Sequence, residues 1–414
     1  MSDRFRLNNF DLIRLFAATQ VAVGHGMGHL QVGGGPIGTL LSLVPGVPIF
    51  YFVSGFLISR SYESNSLISE YSLNRVLRIY PALIVCTILA IGSTFVVGYL
   101  PGAVAGVGLG KLALWFASQV TVVQFYNPEF MRSFGSGVLN GSLWTITVEL
   151  QFYVLVPLLY RLVSPLARTR AQWNAFLVAT TLVFLLANIT FHSLAGGYPA
   201  WLESKVLALT TATGYGLRPN LASKLLGCTF IPWFYMFLVG VMAQRNFDVV
   251  QRILSGRAAL LIPTYLGVTY LGVRVFGFGG GNSINPVLYL LLAATVFSCA
   301  YSVPWLSEKL LHRNDFSYGV YIYHIPVINL LMYCGLSSEY KYLLFALAAT
   351  IVAAVLSWII VERPAMKLKK HPLVSVLQTT RPERASKTAG LGMASTTVSR
   401  SSERGARDRG QTIK

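Results

Sequence analysis

Residues 10–25, "FDLIRLFAATQVAVGH", hold ten apolar side chains in sixteen positions, enough for a buried helix, yet they also carry Asp11, Arg14 and His25. Arg14 and His25 lie eleven residues apart, about three helical turns, so both project from one face roughly 16 Å apart along the axis. Asp11 and Ala18 share that stripe, and His29 follows His25 one turn on. Ionisable groups at membrane depth cost roughly 2.5 to 3.5 kcal/mol even on insertion scales, so each is a functional candidate. Two readings fit the stripe: Arg14 pairs with Asp11 and snorkels while His25 packs between helices, or the three line a path through the membrane.

The rest of the chain makes the membrane the expected solvent. It has 414 residues, 54% hydrophobic and only 12% charged, with a mean hydropathy of +0.58. Apolar runs long enough to cross a hydrocarbon core of about 30 Å recur along it. Ten are expected as helices, over roughly 10–30, 38–60, 79–99, 143–163, 173–194, 226–244, 258–276, 284–303, 317–336 and 342–361. A weaker stretch near 103–125, interrupted by glycines, reads as a re-entrant or surface element. The first segment is long, internally charged and without a small-residue cleavage site, so a cleavable signal peptide is not expected.

Lys and Arg in the short loops set the orientation. With the N-terminus inside, thirteen fall on the cytoplasmic side before the last span and seven on the other, and twelve more follow from Arg363 to Lys414. The expectation is an all-α polytopic membrane protein, N-in and C-in, with a membrane domain over 1–370 and a disordered basic cytoplasmic tail over 371–414. The formal net charge of +18 is then mostly topology signal and tail, so the high basicity points to anionic lipid headgroups and away from nucleic acid. Four cysteines without a C-x-x-C pair read as small core residues. No phosphate-binding glycine loop, H-E-x-x-H metal motif or G-x-S-x-G elbow is present, and no metal is expected.

Three further stretches place polar groups in apolar helices. "SLNRVLRIYP" (72–81), a basic loop entering the third span, puts Arg75 and Arg78 on one face of the first turn, suited either to a phosphate or to topology alone. "GSLWTITVELQFYVLVPLL" (141–159) sets Ser142, Thr145 and Glu149 on a polar stripe beside Trp144. Glu149 is open between an interhelical salt bridge, to Arg14 for instance, a protonated buried acid, and a group that orients a catalytic base. "DFSYGVYIYHIPVI" (315–328) aligns Ser317, Tyr321 and His324, and Pro326 frees a backbone carbonyl near His324. In "PIFYFVSGFLI" (48–58), Ser54 and Gly55 suit close helix packing.

In this order the motifs resemble the acyltransferase 3 family of integral-membrane O-acyltransferases. The series is Asp11, Arg14 and His25, then "FYFVSGFLI", then Arg75, Arg78 and Pro81. "SLWTITVELQFYVLVP", "FLVGVMA" (237–243), "SYGVYIYHIP" and Glu362 with Pro364 complete it. The resemblance covers about residues 8–366. It implies ten or so helices, a bacterial inner-membrane location, and transfer of an acyl group, most simply acetyl, from cytoplasmic acyl-CoA as a substrate, with no bound cofactor. The implied acceptor is a hydroxyl of an exported polysaccharide such as lipopolysaccharide, or of its lipid-linked precursor. A stand-alone version without a fused esterase-like domain is expected. On this reading His25 is the base or a transient acyl carrier, with Arg14 and Glu149 as catalytic partners. Arg75 and Arg78 bind the donor, and Ser142, Trp144, Ser317, Tyr321 and His324 line or orient the acceptor side. The rival is a transporter or flippase for a polar or sugar-linked substrate, whose marks would be paired broken helices and internal repeats; neither is evident in the sequence.

Overall fold

The computed structural model describes residues 8–194, 221–312 and 314–368, all within one compact unit, Met1–His371. Every regular element among them is helical. In chain order these are α1 (Phe10–His29), α2 (Gly35–Ser42), α3 (Gly46–Ser64), α4 (Ile68–Val96), α5 (Tyr99–Ala103) and α6 (Leu109–Gln119). Next come α7 (Trp144–Val163), α8 (Arg170–Leu194), α9 (Leu221–Gly227), α10 (Phe234–Arg245), α11 (Phe247–Leu254) and α12 (Ala258–Arg274). The chain closes with α13 (Pro286–Ser302), α14 (Leu306–Leu311), α15 (Ser317–Tyr333), α16 (Tyr340–Ser357), a π-helical turn at Trp358–Glu362 and α17 (Arg363–Lys367). Five stretches, Gly35–Ser64, Ile68–Val96, Trp144–Val163, Arg170–Ser193 and Tyr340–Lys367, are long and apolar enough to cross a bilayer. Ala258–Arg274 and Pro286–Ser302 are shorter apolar helices. The tail expected over 371–414 lies outside the described residues.

Two expected segments are interrupted. The second breaks at residues 43–45 between α2 and α3, and the sixth at 228–233 between α9 and α10. A break inside an apolar body leaves backbone groups that must find partners, and one glutamine serves each. Gln20 of α1 accepts from the Gly46 amide (2.9 Å) and donates to the Leu41 carbonyl (3.0 Å). Gln151 of α7 accepts from the Phe230 amide (2.8 Å) and donates to the Cys228 carbonyl (2.9 Å). The two segments after the breaks, α3 and α10, then cross at Gly55 and Gly240. A methyl on Gly55 would stand 2.0 Å from the Phe237 carbonyl oxygen, so only glycine permits this approach.

Two other expectations are corrected. Residues 72–81 are not a loop: α4 starts at Ile68, Tyr71 is buried, and Pro81 sits inside the helix. Cys86 is buried as expected, but Cys334 is exposed. The carbonyl that Pro326 leaves without an i+4 amide is that of Ile322, and it accepts from Asn140 Nδ2 at 2.8 Å and from the Cys86 thiol. Residues 99–119 form two short helices, and Trp115, Met131, Phe134 and Leu139 make a small core apart from the main one. The main core is built around Phe52, Phe56, Phe152, Phe237 and Phe297. Asn9 clamps the start of α1: its side chain donates to the Val303 carbonyl (2.7 Å) and accepts from the Ser307 amide (2.9 Å).

Candidate active site

Arg14 does not pair with Asp11 or with Glu149. Its Nη1 lies 2.7 Å from Oδ2 of Asp315, in the turn before α15, and the Arg78 guanidinium holds the same oxygen. The other carboxylate oxygen accepts the Ser317 amide (3.0 Å) and hydroxyl. Asp315 is 5% exposed, so α1, α4 and α15 meet at one buried charge. Burial alone would push the Asp315 carboxyl up; the two guanidiniums and the Ser317 hydroxyl override it and hold the carboxyl below its ordinary range. Helical spacing does not mark Asp315 as a site residue. The available signal was an aspartate two residues before a helix-starting serine, a local turn pattern that says nothing of partners three hundred residues away.

This node borders a cavity of about 350 Å³ that also takes in Asp11, Arg75, Glu149 and Tyr153. Arg75 donates to the Ser61 hydroxyl (2.9 Å) and lies over the Tyr153 ring at 5.5 Å. Its Nε has no partner among the described residues. The two arginines expected to act together therefore have different partners: Arg78 is tied to Asp315, and Arg75 to the Ser61 hydroxyl. Glu149 accepts from the hydroxyls of Tyr153 (2.7 Å) and Ser54 (3.3 Å).

Arg14, Ser54 and Glu149 also border a narrow second cavity of about 30 Å³, lined beyond them by Phe50, Tyr51, Thr145, Ser317 and Tyr321. The two cavities thus share a wall and follow one another along α3 and α7. The Tyr321 hydroxyl pairs with that of Thr145 at 2.5 Å. The Tyr51 hydroxyl is buried with no hydrogen-bond partner among the described residues, and the sequence reading did not single it out. Ser54, expected as a packing residue, lines both cavities.

Past Tyr321, the His324 ring stands 5.8 Å away and stacks on His25 at 5.1 Å, with His25 Nδ1 and His324 Nε2 2.9 Å apart. His324 is 1% exposed, while His25 is half-buried. The hydrogen-bond chain sets the tautomers. Nδ1 of His324 faces the Val320 carbonyl (3.3 Å), which can only accept, so that nitrogen carries the proton. In a neutral His324 the Nε2 then accepts, His25 Nδ1 donates, and His25 Nε2 is left as a bare base.

Arg14, Arg75, Arg78, Glu149, Ser317 and Tyr321 are brought to the two cavities, and His25 with His324 stands beside them. Neither histidine lines either cavity, and two further expected residues lie away from them. Ser142 precedes α7, which starts at Trp144, so it lies off the helical stripe; its hydroxyl donates to Asn140 Oδ1 (2.7 Å). Trp144 packs on Trp233 at 5.4 Å.

The acyltransferase 3 family, described as an acyltransferase domain, matches residues 7–362, and the chain belongs to this family. With its apolar helices it is a multi-pass membrane acyltransferase. Among curated relatives, "Nodulation protein 10" of Rhizobium leguminosarum bv. viciae is 31% identical over 87% of this chain and 94% of its own length. An "O-acetyl transferase" of Shigella phage Sf6 is 24% identical over 86% and 95%. The "Peptidoglycan O-acetyltransferase OatA" of Listeria monocytogenes is 23% identical over 78% of this chain but only 51% of its own length. No solved structure matches the chain.

Proposed function

We propose that the protein moves an acyl group, most simply acetyl, from cytoplasmic acyl-CoA to a hydroxyl of an exported polysaccharide or its lipid-linked precursor in the bacterial inner membrane. The observation that carries this is the His25 imidazole, with Nε2 free and Nδ1 held by His324, beside a polar tract that runs from Arg75 to Tyr321. O-acetyl transfer in the names of two relatives supports the class of reaction, and peptidoglycan in one of them supports a sugar acceptor. On this reading the chain crosses the membrane ten times with both ends inside, residues 1–370 are the acyltransferase domain, and 371–414 lie outside it; the family match ending at 362 supports that boundary.

The residues divide the work as follows. Arg75 and Arg78, both lining the middle cavity, meet the phosphates of the donor. Arg14 and Glu149 flank the arm that carries the thioester inward. Ser317 and Tyr321 line the narrow end. His25 Nε2 takes the proton of the acceptor hydroxyl as its oxygen attacks the thioester carbonyl. Charge gathers on the carbonyl oxygen, where the unpartnered Tyr51 hydroxyl is a donor within the narrow cavity. The carbon–sulfur bond then breaks, and the coenzyme A thiolate takes the proton back from His25. His324 acts through His25 and is a positioning residue; Ser142 and Trp144 support the acceptor side from outside the cavities.

Membranes containing the protein, incubated with acetyl-CoA labelled in the acetyl group, should release free coenzyme A and label polysaccharide, and His25→Ala should abolish both while the protein still accumulates. Undiminished labelling by His25→Ala would end the proposal. The two interrupted helices, packed at Gly55 and Gly240, favour one second reading, passage of a polar or sugar-linked substrate, since broken helices mark transporter sites. Solute uptake without release of coenzyme A would select it.

A further inference from the structure

A third cavity, of about 490 Å³, continues the series. Along α3 the narrow cavity is lined by Phe50, Tyr51 and Ser54, the middle one by Ser54, Leu57 and Ile58, and this one by Tyr62 and Glu63. Along α7 the order repeats: Thr145 and Glu149, then Glu149 and Tyr153, then Pro157, Tyr160 and Arg161. From Phe50 to Glu63 is thirteen residues of helix, roughly 20 Å. Tyr71 links the two linings: its hydroxyl donates to the Tyr153 carbonyl of the middle cavity (3.1 Å) and its ring meets Tyr62 of the outer one edge-on at 5.4 Å.

The chemistry of the outer cavity differs from that of the other two. Its floor is the pair of rings of Tyr62 and Tyr160, 5.2 Å apart. Glu63 is neutralised by Arg245 (2.5 Å) and accepts from Gln244 and Tyr160, so it presents no unbalanced charge. Arg161 stands exposed at the rim. Ser66 and Ile68 bring in the start of α4, whose first turn carries Glu70 held by the Asn65 side-chain amide, so the cationic group of the rim is Arg161. Aromatic faces and a free guanidinium suit a purine nucleotide bearing phosphate.

We propose that this outer cavity binds the adenine nucleotide end of the acyl-CoA donor. The base lies on Tyr62 and Tyr160, and Arg161 takes the ribose phosphate. The diphosphate passes Ser61 to reach Arg75, and the pantetheine arm runs inward past Ser54 and Glu149. The inference rests on the acyl-CoA reading above and adds a separate site to it. A lipid headgroup is the competing occupant.

The test compares two donors on membranes of the full-length protein, acetyl-CoA and S-acetylpantetheine, which carries the same thioester without the nucleotide. Wild type should show a KM for acetyl-CoA well below that for S-acetylpantetheine. Arg161→Ala should raise the acetyl-CoA KM at least about fivefold and pull the ratio of the two KM values toward one. Ser164→Trp, which fills the groove from a different position, should do the same and covers the case in which one variant fails to accumulate. A ratio identical in wild type and both variants would overturn the site and leave the groove to lipid. Failure of wild type to use either donor would instead overturn the acyl-CoA reading.

Discussion

Nδ1 of His25 and Nε2 of His324 lie 2.9 Å apart although 299 residues separate them in the chain. The pair turns a histidine on the first helix into an oriented one, because the Val320 carbonyl sets the proton on His324 and His324 in turn sets it on His25. His25→Ala should lower transfer by roughly 10²- to 10⁴-fold, the usual range for losing a general base. His324→Ala should give a smaller loss, and His324→Gln, whose amide oxygen can still accept from His25 Nδ1, should recover part of it. Initial rates of coenzyme A release on the three variants check the order.

Tyr51 has a buried hydroxyl with no partner in a cavity where a thioester carbonyl would polarise. Tyr51→Phe keeps the ring packing on Phe152 and removes only that donor. The expected outcome is a fall in kcat of roughly 10²-fold or more with little change in KM for the donor. A change confined to KM would place the hydroxyl on the substrate's ground state instead.

On the proposed acyl-CoA reading, Asp315 and the donor's phosphates would compete for the same guanidiniums. Asp315→Asn removes one of three carboxylates facing three arginines around the middle cavity. Affinity for coenzyme A, measured by equilibrium binding on the purified protein, should rise roughly threefold or more, while turnover falls because Arg14 and Arg78 lose their common anchor. Weaker binding would mean that Asp315 builds the site without competing for it.

Gly55→Ala should fail on sterics, since its Cβ would press on backbone at 2.0 Å and no side chain can move aside. A cost of about 1 to 3 kcal/mol or more is expected, read as a lower thermal midpoint in detergent and a lower yield. Gly92→Ala, with nothing within 4 Å of the added methyl, is the control and should leave the midpoint in place.

The glutamines at the helix breaks give a different signature. Gln20→Ala or Gln151→Ala strands two backbone groups inside the body, for about 1 to 3 kcal/mol per unsatisfied group. Each should lower the thermal midpoint, and hydrogen exchange should rise first at Gly46 or Phe230, the amides each one accepts from.

Hydropathy and helical spacing were enough to place helix in each of the apolar segments and to put Arg14 and His25 on one face, because burial in lipid and the 3.6-residue period act locally. Spacing also marked Glu149 and Tyr321, since a polar group in an apolar run is expensive wherever it falls. It misplaced Ser142 because the helix starts two residues later, at Trp144. It did not reveal what pairs with what. Asp315 joins Arg14 to Arg78, Gln20 and Gln151 close two breaks, and His324 orients His25, in each case through partners on different helices. Those contacts depend on how helices cross, which glycines such as Gly55 and Gly240 permit and no periodicity encodes. Only the packed structure decided that Asp315 takes Arg14 and Arg78 and leaves Arg75 to Ser61.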